Sequence, residues 1–229
     1  MPRIKICFVS FLLLFSTSFV YASDSTNPNI YNQNYIEDYF PTNEDGTINV
    51  VVEIPAGTNE KWEVSKPDGK LELEHKSGKP RIIKYIGYPG NYGMIPGTLV
   101  SEKIGGDGDP LDVLLIGAPV MRGKVVKGKL IGILRFLDRG KMDDKLLAVL
   151  PETALYEADD LSQLDETFPG ITSIVKTWFL YYKGSGKMIF KGFGNVQEAR
   201  NILNTAIKEY QKKSYNDNGA SIKSNNYIE

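Results

Sequence analysis

The sequence predicts a mainly β fold with flanking α-helices, a closed or nearly closed antiparallel barrel of short strands with helices only in the C-terminal third. Three observations predict it. Short apolar runs recur through the middle of the chain, Gly, Pro, Asn or Asp punctuates nearly every gap, and no long helical pattern alternates with the runs as a parallel sheet would require. Short strands at that spacing are best protected from edge pairing by closing on themselves.

The strand runs are Ile48–Ile54, Lys61–Ser65, Leu71–His75, Arg81–Ile86, Leu111–Ile116, Val125–Phe136 and Leu146–Leu150. After Pro169-Gly170, the residues Ile171, Ile174, Val175, Trp178, Phe179 and Tyr182 fall at helical spacing, so one face of this segment should pack on the barrel. A second amphipathic helix starts near Asn195, which can cap it together with Glu198 three residues on. It continues through Ala199, Ile202, Leu203, Ala206, Ile207 and Tyr210. Gly184-Ser185-Gly186-Lys187 resembles the end of a phosphate-binding loop, but Met188 stands where Ser or Thr is needed, so it reads as a turn.

At 229 residues, 41% hydrophobic and 24% charged, the chain holds one ordinary domain with tails, expected at residues 47–213. Arg3 and Lys5 precede an uncharged run from Ile6 to Tyr21 that ends at Ala22, which reads as a signal peptide over residues 1–22. A retained anchor is the rival, but the run falls short of the roughly 20 apolar residues a spanning helix needs. Residues 23–46 read as a flexible, solvated leader and residues 214–229 as a disordered tail. The protein is therefore expected to be exported, periplasmic or secreted, with no stable membrane insertion after cleavage.

Cys7 lies in the signal segment and His75 sits alone in an alternating strand, so disulfides, His/Cys metal sites and Ser/His or Cys/His catalysis lack their parts. With 27 basic against 28 acidic residues and no basic tract, nucleic acid is not an expected partner. Any chemistry must come from carboxylates, lysines, arginines and tyrosines.

The densest such group is Asp107-Gly108-Asp109-Pro110-Leu111-Asp112, three carboxylates in six residues before the apolar run Val113-Leu114-Leu115-Ile116. A bare Asp-Gly-Asp is also an ordinary turn. Asp112 shifts the balance, because a carboxylate at the mouth of a buried strand is costly unless paired or metal-bound. A calcium EF-hand loop is excluded, since the twelfth position from Asp107 is Ala118. Asp138, Asp143 and Asp144 recur where the long strand runs out. By themselves they read as a solvated hairpin; beside the first cluster they could complete an all-oxygen cage suited to Mg²⁺ or Mn²⁺.

Taken in order, Val51-Val52-Glu53-Ile54-Pro55-Ala56-Gly57, Lys61-Trp62-Glu63, Tyr88-Pro89-Gly90-Asn91-Tyr92-Gly93, the Asp cluster, Asp138, Asp143 and Lys145, Lys176-Thr177-Trp178-Phe179, and Tyr182-Lys183 resemble family I soluble inorganic pyrophosphatases. The similarity covers about Ile48 to Tyr210. It implies an OB-like five-stranded β-barrel core with two main helices, hydrolysis of inorganic diphosphate, and several Mg²⁺ ions per site, with Mn²⁺ or Zn²⁺ as substitutes. It further implies that Asp107, Asp112 and Asp143 hold one metal, that Asp112 bridges to a second, and that Asp138 and Asp143 serve a metal arriving with substrate. Asp109 would be the general base, Lys61, Arg81, Tyr92, Lys145, Tyr182 and Lys183 the phosphate holders, and Glu53 and Tyr88 supporting residues.

Trp62 and Gly87 depart from the family's usual Tyr and Phe, matching Arg81 needs a one-residue length difference, and Asp144 competes with Asp143 as the ligand. Most relatives are cytoplasmic, which is the alternative to export. A homo-oligomer, hexameric in bacterial relatives, is implied by resemblance alone. Two other readings stay open: a barrel that binds metal and diphosphate without turnover, and a hydrolase of phosphomonoesters or nucleotides.

Overall fold

The computed structural model describes residues 33–66 and 68–225, with side chains as far as Asn216. The expected signal segment, residues 1–22, lies outside the described residues, as does the leader up to residue 32.

In chain order the elements are β1 (Ile48–Ile54), β2 (Trp62–Val64), β3 (Leu71–Leu73), β4 (His75–Lys76), β5 (Lys79–Pro80), β6 (Asn91–Ile95) and β7 (Leu111–Ile116). There follow β8 (Val125–Asp138), β9 (Lys141–Met142), β10 (Lys145–Val149), α1 (Leu161–Thr167), α2 (Ile171–Tyr181), β11 (Met188–Gly194) and α3 (Val196–Asn225). Strands β1, β6, β7, β10 and β8 pair in that order, and β8 pairs back onto β1, so five strands close into a barrel. The long β8 spans it: its start pairs with β1, its middle with β10, and its end with β11 and β9.

The ring is not wholly antiparallel as expected, because β10 pairs with β7 in parallel. The chain travels along β8 before it returns beside β7, and that detour restores the direction of β7. Arg81–Ile86 is not a strand either. Ile82 and Ile86 face solvent, and the segment is held by single bonds such as Ile83 N–H to the Asn59 carbonyl. Strands β6 and β11 and helix α1 were not anticipated.

Alternation divides the barrel residues between two faces. Val50 and Val52 of β1, Val113 and Leu115 of β7, and Leu146 and Ala148 of β10 pack with Ala199, Leu203 and Ala206 of α3. The opposite parity, Leu114, Ile116, Leu147 and Val149, packs with Val175, Trp178 and Phe179 of α2. Asn195 and Glu198 form the expected reciprocal cap: Glu198 N–H donates to Asn195 Oδ1 at 2.9 Å, and Asn195 N–H to Glu198 Oε2 at 2.8 Å.

Both expected tails are corrected where the structure describes them. Residues 33–46 are docked, not free: Tyr35 is fully buried, its hydroxyl donates to the Gly123 carbonyl at 3.0 Å, and its ring packs with Val51, Val64, Leu71 and Met94. At the other end α3 continues to Asn225, past the expected boundary at 213, because a helix once nucleated propagates on its own backbone bonds even where its side chains are polar. No helix among the described residues is long and apolar enough to cross a membrane.

Candidate active site

A β-bulge sets one wall of the site. Opposite β6, Val52 pairs with Gly93 and Ile54 with Tyr92, so Glu53 is the extra residue and its side chain leaves the regular alternation. A side chain at position 93 would collide with the Val51 carbonyl, so only glycine lets the two strands close here. Glu53 is buried and accepts from Val64 N–H at 2.7 Å, which ties β1 to the hairpin of β2 and β3. Burial pushes its carboxyl up to about 8, against the pull of Lys61.

Two acidic turns form the floor. In the first, Val100 N–H donates to the Asp109 carbonyl at 2.8 Å and Gly108 N–H to the Val100 carbonyl at 2.9 Å, while Leu111 N–H caps onto Thr98 Oγ1. The second turn follows β8, and Met142 N–H donates to the Gly105 carbonyl at 3.2 Å, stitching the two turns together. Segments some thirty residues apart thus bring their carboxylates into one place.

Every expected site residue except Tyr88 lines a single cleft of about 870 Å³: Asp107, Asp109, Asp112, Asp138 and Asp143 on the acidic side, then Lys61, Arg81, Tyr92, Lys145, Tyr182 and Lys183 with Glu53. Tyr88 lies just behind, buried, with its ring 5.2 Å from Tyr92 and 4.2 Å from Trp178. Trp178 in turn stacks on Tyr182 at 4.7 Å, so the aromatic face of α2 holds both cleft tyrosines in place. Burial, followed by the negative field of Asp112 and Asp143, keeps the Tyr92 hydroxyl protonated well above its ordinary range and so a hydrogen-bond donor.

Lysines stand between the carboxylates. Lys145, 2% exposed, donates to Asp112 Oδ2 and to Asp143 Oδ1, the latter at 2.7 Å. Lys183 donates to Asp138 Oδ2 at 2.8 Å and lies 3.8 Å from Asp143 Oδ2. For Asp143 burial works to raise the carboxyl, but Lys145, Lys183 and Lys61 together hold it below the usual range. The same contest at Lys145 ends with its ammonium pushed up by Asp112 and Asp143 against the cost of burial. Asp144, the rival of Asp143, also touches the cleft but accepts from Phe136 N–H at 3.1 Å, a local backbone task.

Sequence reasoning missed several lining residues. Glu74 binds Arg81 Nη1 at 2.8 and 2.5 Å, and Lys66 reaches Asp109 at 2.5 Å. Glu63 pairs with Lys61 at 3.2 Å. The alternation of Glu63 with Trp62 and Val64 was a signal for a cleft-facing strand; Lys66 had none.

Do these residues fit a hard divalent cation? The donors are all oxygen, as Mg²⁺ requires, and Asp143 Oδ2 is buried without accepting a hydrogen bond. Among the described residues no three acidic side chains converge as a ready-made cage, because the ammonium groups of Lys145 and Lys183 stand among them. Each carboxylate still has lone pairs beyond those its lysine uses. The set fits.

A closed barrel whose cleft opposes carboxylates to lysines, an arginine and tyrosines is equipped to hold a polyanion together with cations. Comparison identifies the family: the inorganic pyrophosphatase family model matches residues 50–211, and the chain belongs to that family. It is 36% identical over 174 residues to the inorganic pyrophosphatase of Helicobacter pylori, covering 71% of this chain and 90% of that one. It is 35% identical over 156 residues to the mitochondrial inorganic pyrophosphatase of Saccharomyces cerevisiae, covering 60% of this chain but spanning only 50% of the yeast protein. Among solved structures, the type I inorganic pyrophosphatase of P. falciparum superposes with a TM-score of 0.75 at 27% identity, covering 83% of this chain and 67% of that one.

Proposed function

We propose that this chain hydrolyses inorganic diphosphate to two orthophosphates with Mg²⁺, by direct attack of water and with Asp109 as the general base. The observation that carries this reading is the cleft in which the acidic and cationic residues singled out by the resemblance meet. Asp107, Asp112, Asp138 and Asp143 would hold Mg²⁺, which supplies charge neutralisation and a more acidic water; Mn²⁺ or Zn²⁺ could substitute.

The chain's own residues then divide the work. Water oxygen bonds to one phosphorus, its proton passes to the Asp109 carboxylate, and the bridging P–O bond breaks with its electron pair leaving on the second phosphate. Lys61, Arg81, Lys145 and Lys183 oppose the charge that grows on the departing phosphate, and Tyr92 and Tyr182 donate hydrogen bonds to its oxygens. An ammonium has three donors; Lys145 spends two on Asp112 and Asp143, which leaves one for a phosphate oxygen. Glu53 and Tyr88 hold this wall in shape.

Phosphate release from diphosphate, compared with ATP under the same Mg²⁺, tests the substrate. We expect diphosphate to be strongly preferred. Equal rates would favour a hydrolase of organic phosphates, and tight binding without turnover would favour a binding module. Export to the periplasm or beyond, and a homo-oligomer that resemblance suggests is hexameric, complete the reading; fractionation and mass measurement in solution test them.

A further inference from the structure

We propose that Lys66 is a positioning residue for Asp109, gripping its carboxylate from across the mouth of the cleft and so aiming the oxygen that receives the proton. The proposal rests on the diphosphate-hydrolysis reading above. Lys66 sits at the turn between β2 and β3, and its Nζ lies 2.5 Å from Asp109 Oδ1. Both side chains line the cleft, and both are about half exposed, at 52% and 46%.

Two further features say that this contact is built. The first is the path of the arm. It ends beside Gly108, at φ +84°, where a Cβ would stand in ordinary contact, 4.0 Å, with Lys66 Nζ. The second is the bracing of the turn that carries Lys66. Ser65 N–H donates to the Lys70 carbonyl at 2.7 Å, Gly69 N–H to the Ser65 carbonyl at 2.9 Å, and Tyr35 N–H to the Gly69 carbonyl at 2.8 Å. The docked segment at residues 33–39 and the buried Tyr35 ring therefore hold the hairpin from behind while its tip holds Asp109 in front.

The main chain of Asp109 is already fixed by Val100 N–H on its carbonyl and by its own N–H on Asp107 Oδ1 at 3.1 Å. Its side chain needs a partner to choose a direction, and an ammonium on a braced turn provides one. An ion pair between two half-exposed groups contributes little to stability. Orientation of a reacting group, by contrast, counts heavily in rate. Loss of Lys66 should therefore be seen in turnover and not in folding.

The test compares wild type, Lys66→Met and Lys66→Arg at saturating Mg²⁺, with thermal unfolding and a crystal structure of Lys66→Met. Lys66→Met should lower kcat about tenfold with KM changed less than about twofold, and Lys66→Arg should recover most of the loss. Melting should not move, and the Asp109 carboxylate should leave its position in the Lys66→Met crystal. Unchanged kcat, a loss carried by KM, or a loss that arginine does not restore would overturn the proposal. If the wild-type chain itself showed no turnover, the diphosphate reading would fall, while an unmoved Asp109 in the Lys66→Met crystal would overturn the grip on its own.

Discussion

At Lys145, burial and charge pull in opposite directions. An ammonium that is 2% exposed loses nearly all its hydration, yet Asp112 and Asp143 hold it charged. Lys145→Met removes the ammonium that Asp112 and Asp143 share, leaving both carboxylates without that cation. We expect the metal-free protein to lose about 3 kcal/mol of stability, the size of a broken buried pair. Added Mg²⁺ should return part of that loss, read by thermal unfolding with and without the cation. Arg81 poses the reverse case. Glu74 holds its Nη1, so Glu74→Gln should loosen it and lower kcat/KM for diphosphate several-fold. The aspartates were legible in the sequence because clustered like charge beside a buried strand demands an explanation. Glu74 and Lys66 were not, because an acid in an alternating strand and a lysine in a turn are ordinary surface residues until the fold shows what they touch.

The docked segment before β1 makes the point for whole elements. Residues 33–46 are rich in Asn, Asp and Tyr and lack an apolar period, so nothing local marks them as structured. They are held by one large buried ring and by side-chain bonds to main chain, such as Asn49 Nδ2 to the Phe40 carbonyl at 2.8 Å. Burial, with Tyr39 adding to it, pushes the Tyr35 hydroxyl from 10.0 up to about 12. A group that keeps its proton longer when folded stabilises below its unfolded value and loses that contribution as pH rises through its folded one. The stability advantage of wild type over Tyr35→Phe should therefore be constant below pH 10 and shrink between pH 10 and 12, as followed by denaturant titration at each pH. Strand β6 was hidden because all five of its residues are buried and no alternation shows; β11 was hidden by its two glycines. The cap of α3 was legible outright, since Asn195 and Glu198 carry its geometry in their spacing. Asn195→Ala should cost about 1 kcal/mol in thermal unfolding.

The closed ring of β1, β6, β7, β10 and β8 is what turns scattered motifs into one cleft. Glu53 comes from a bulge in β1, Tyr92 from β6, Asp112 from β7, Asp138 from the end of β8, and Lys145 from the start of β10. Barrel closure was legible from the spacing of short strands; the parallel pairing of β7 with β10 was not, because register and direction depend on contacts far apart in the chain. The family places the molecule among inorganic pyrophosphatases, and the claim that remains to be measured is that Asp109 moves the proton while its neighbours hold the metal. Wild type and Asp109→Asn should be compared for Mg²⁺-dependent phosphate release from diphosphate and, in parallel, for Mg²⁺ binding by calorimetry. The expected result is a loss of at least about 100-fold in kcat, the scale of general-base catalysis, with Mg²⁺ binding retained. An Asp109→Asn variant that turns over diphosphate at the wild-type rate would contradict it.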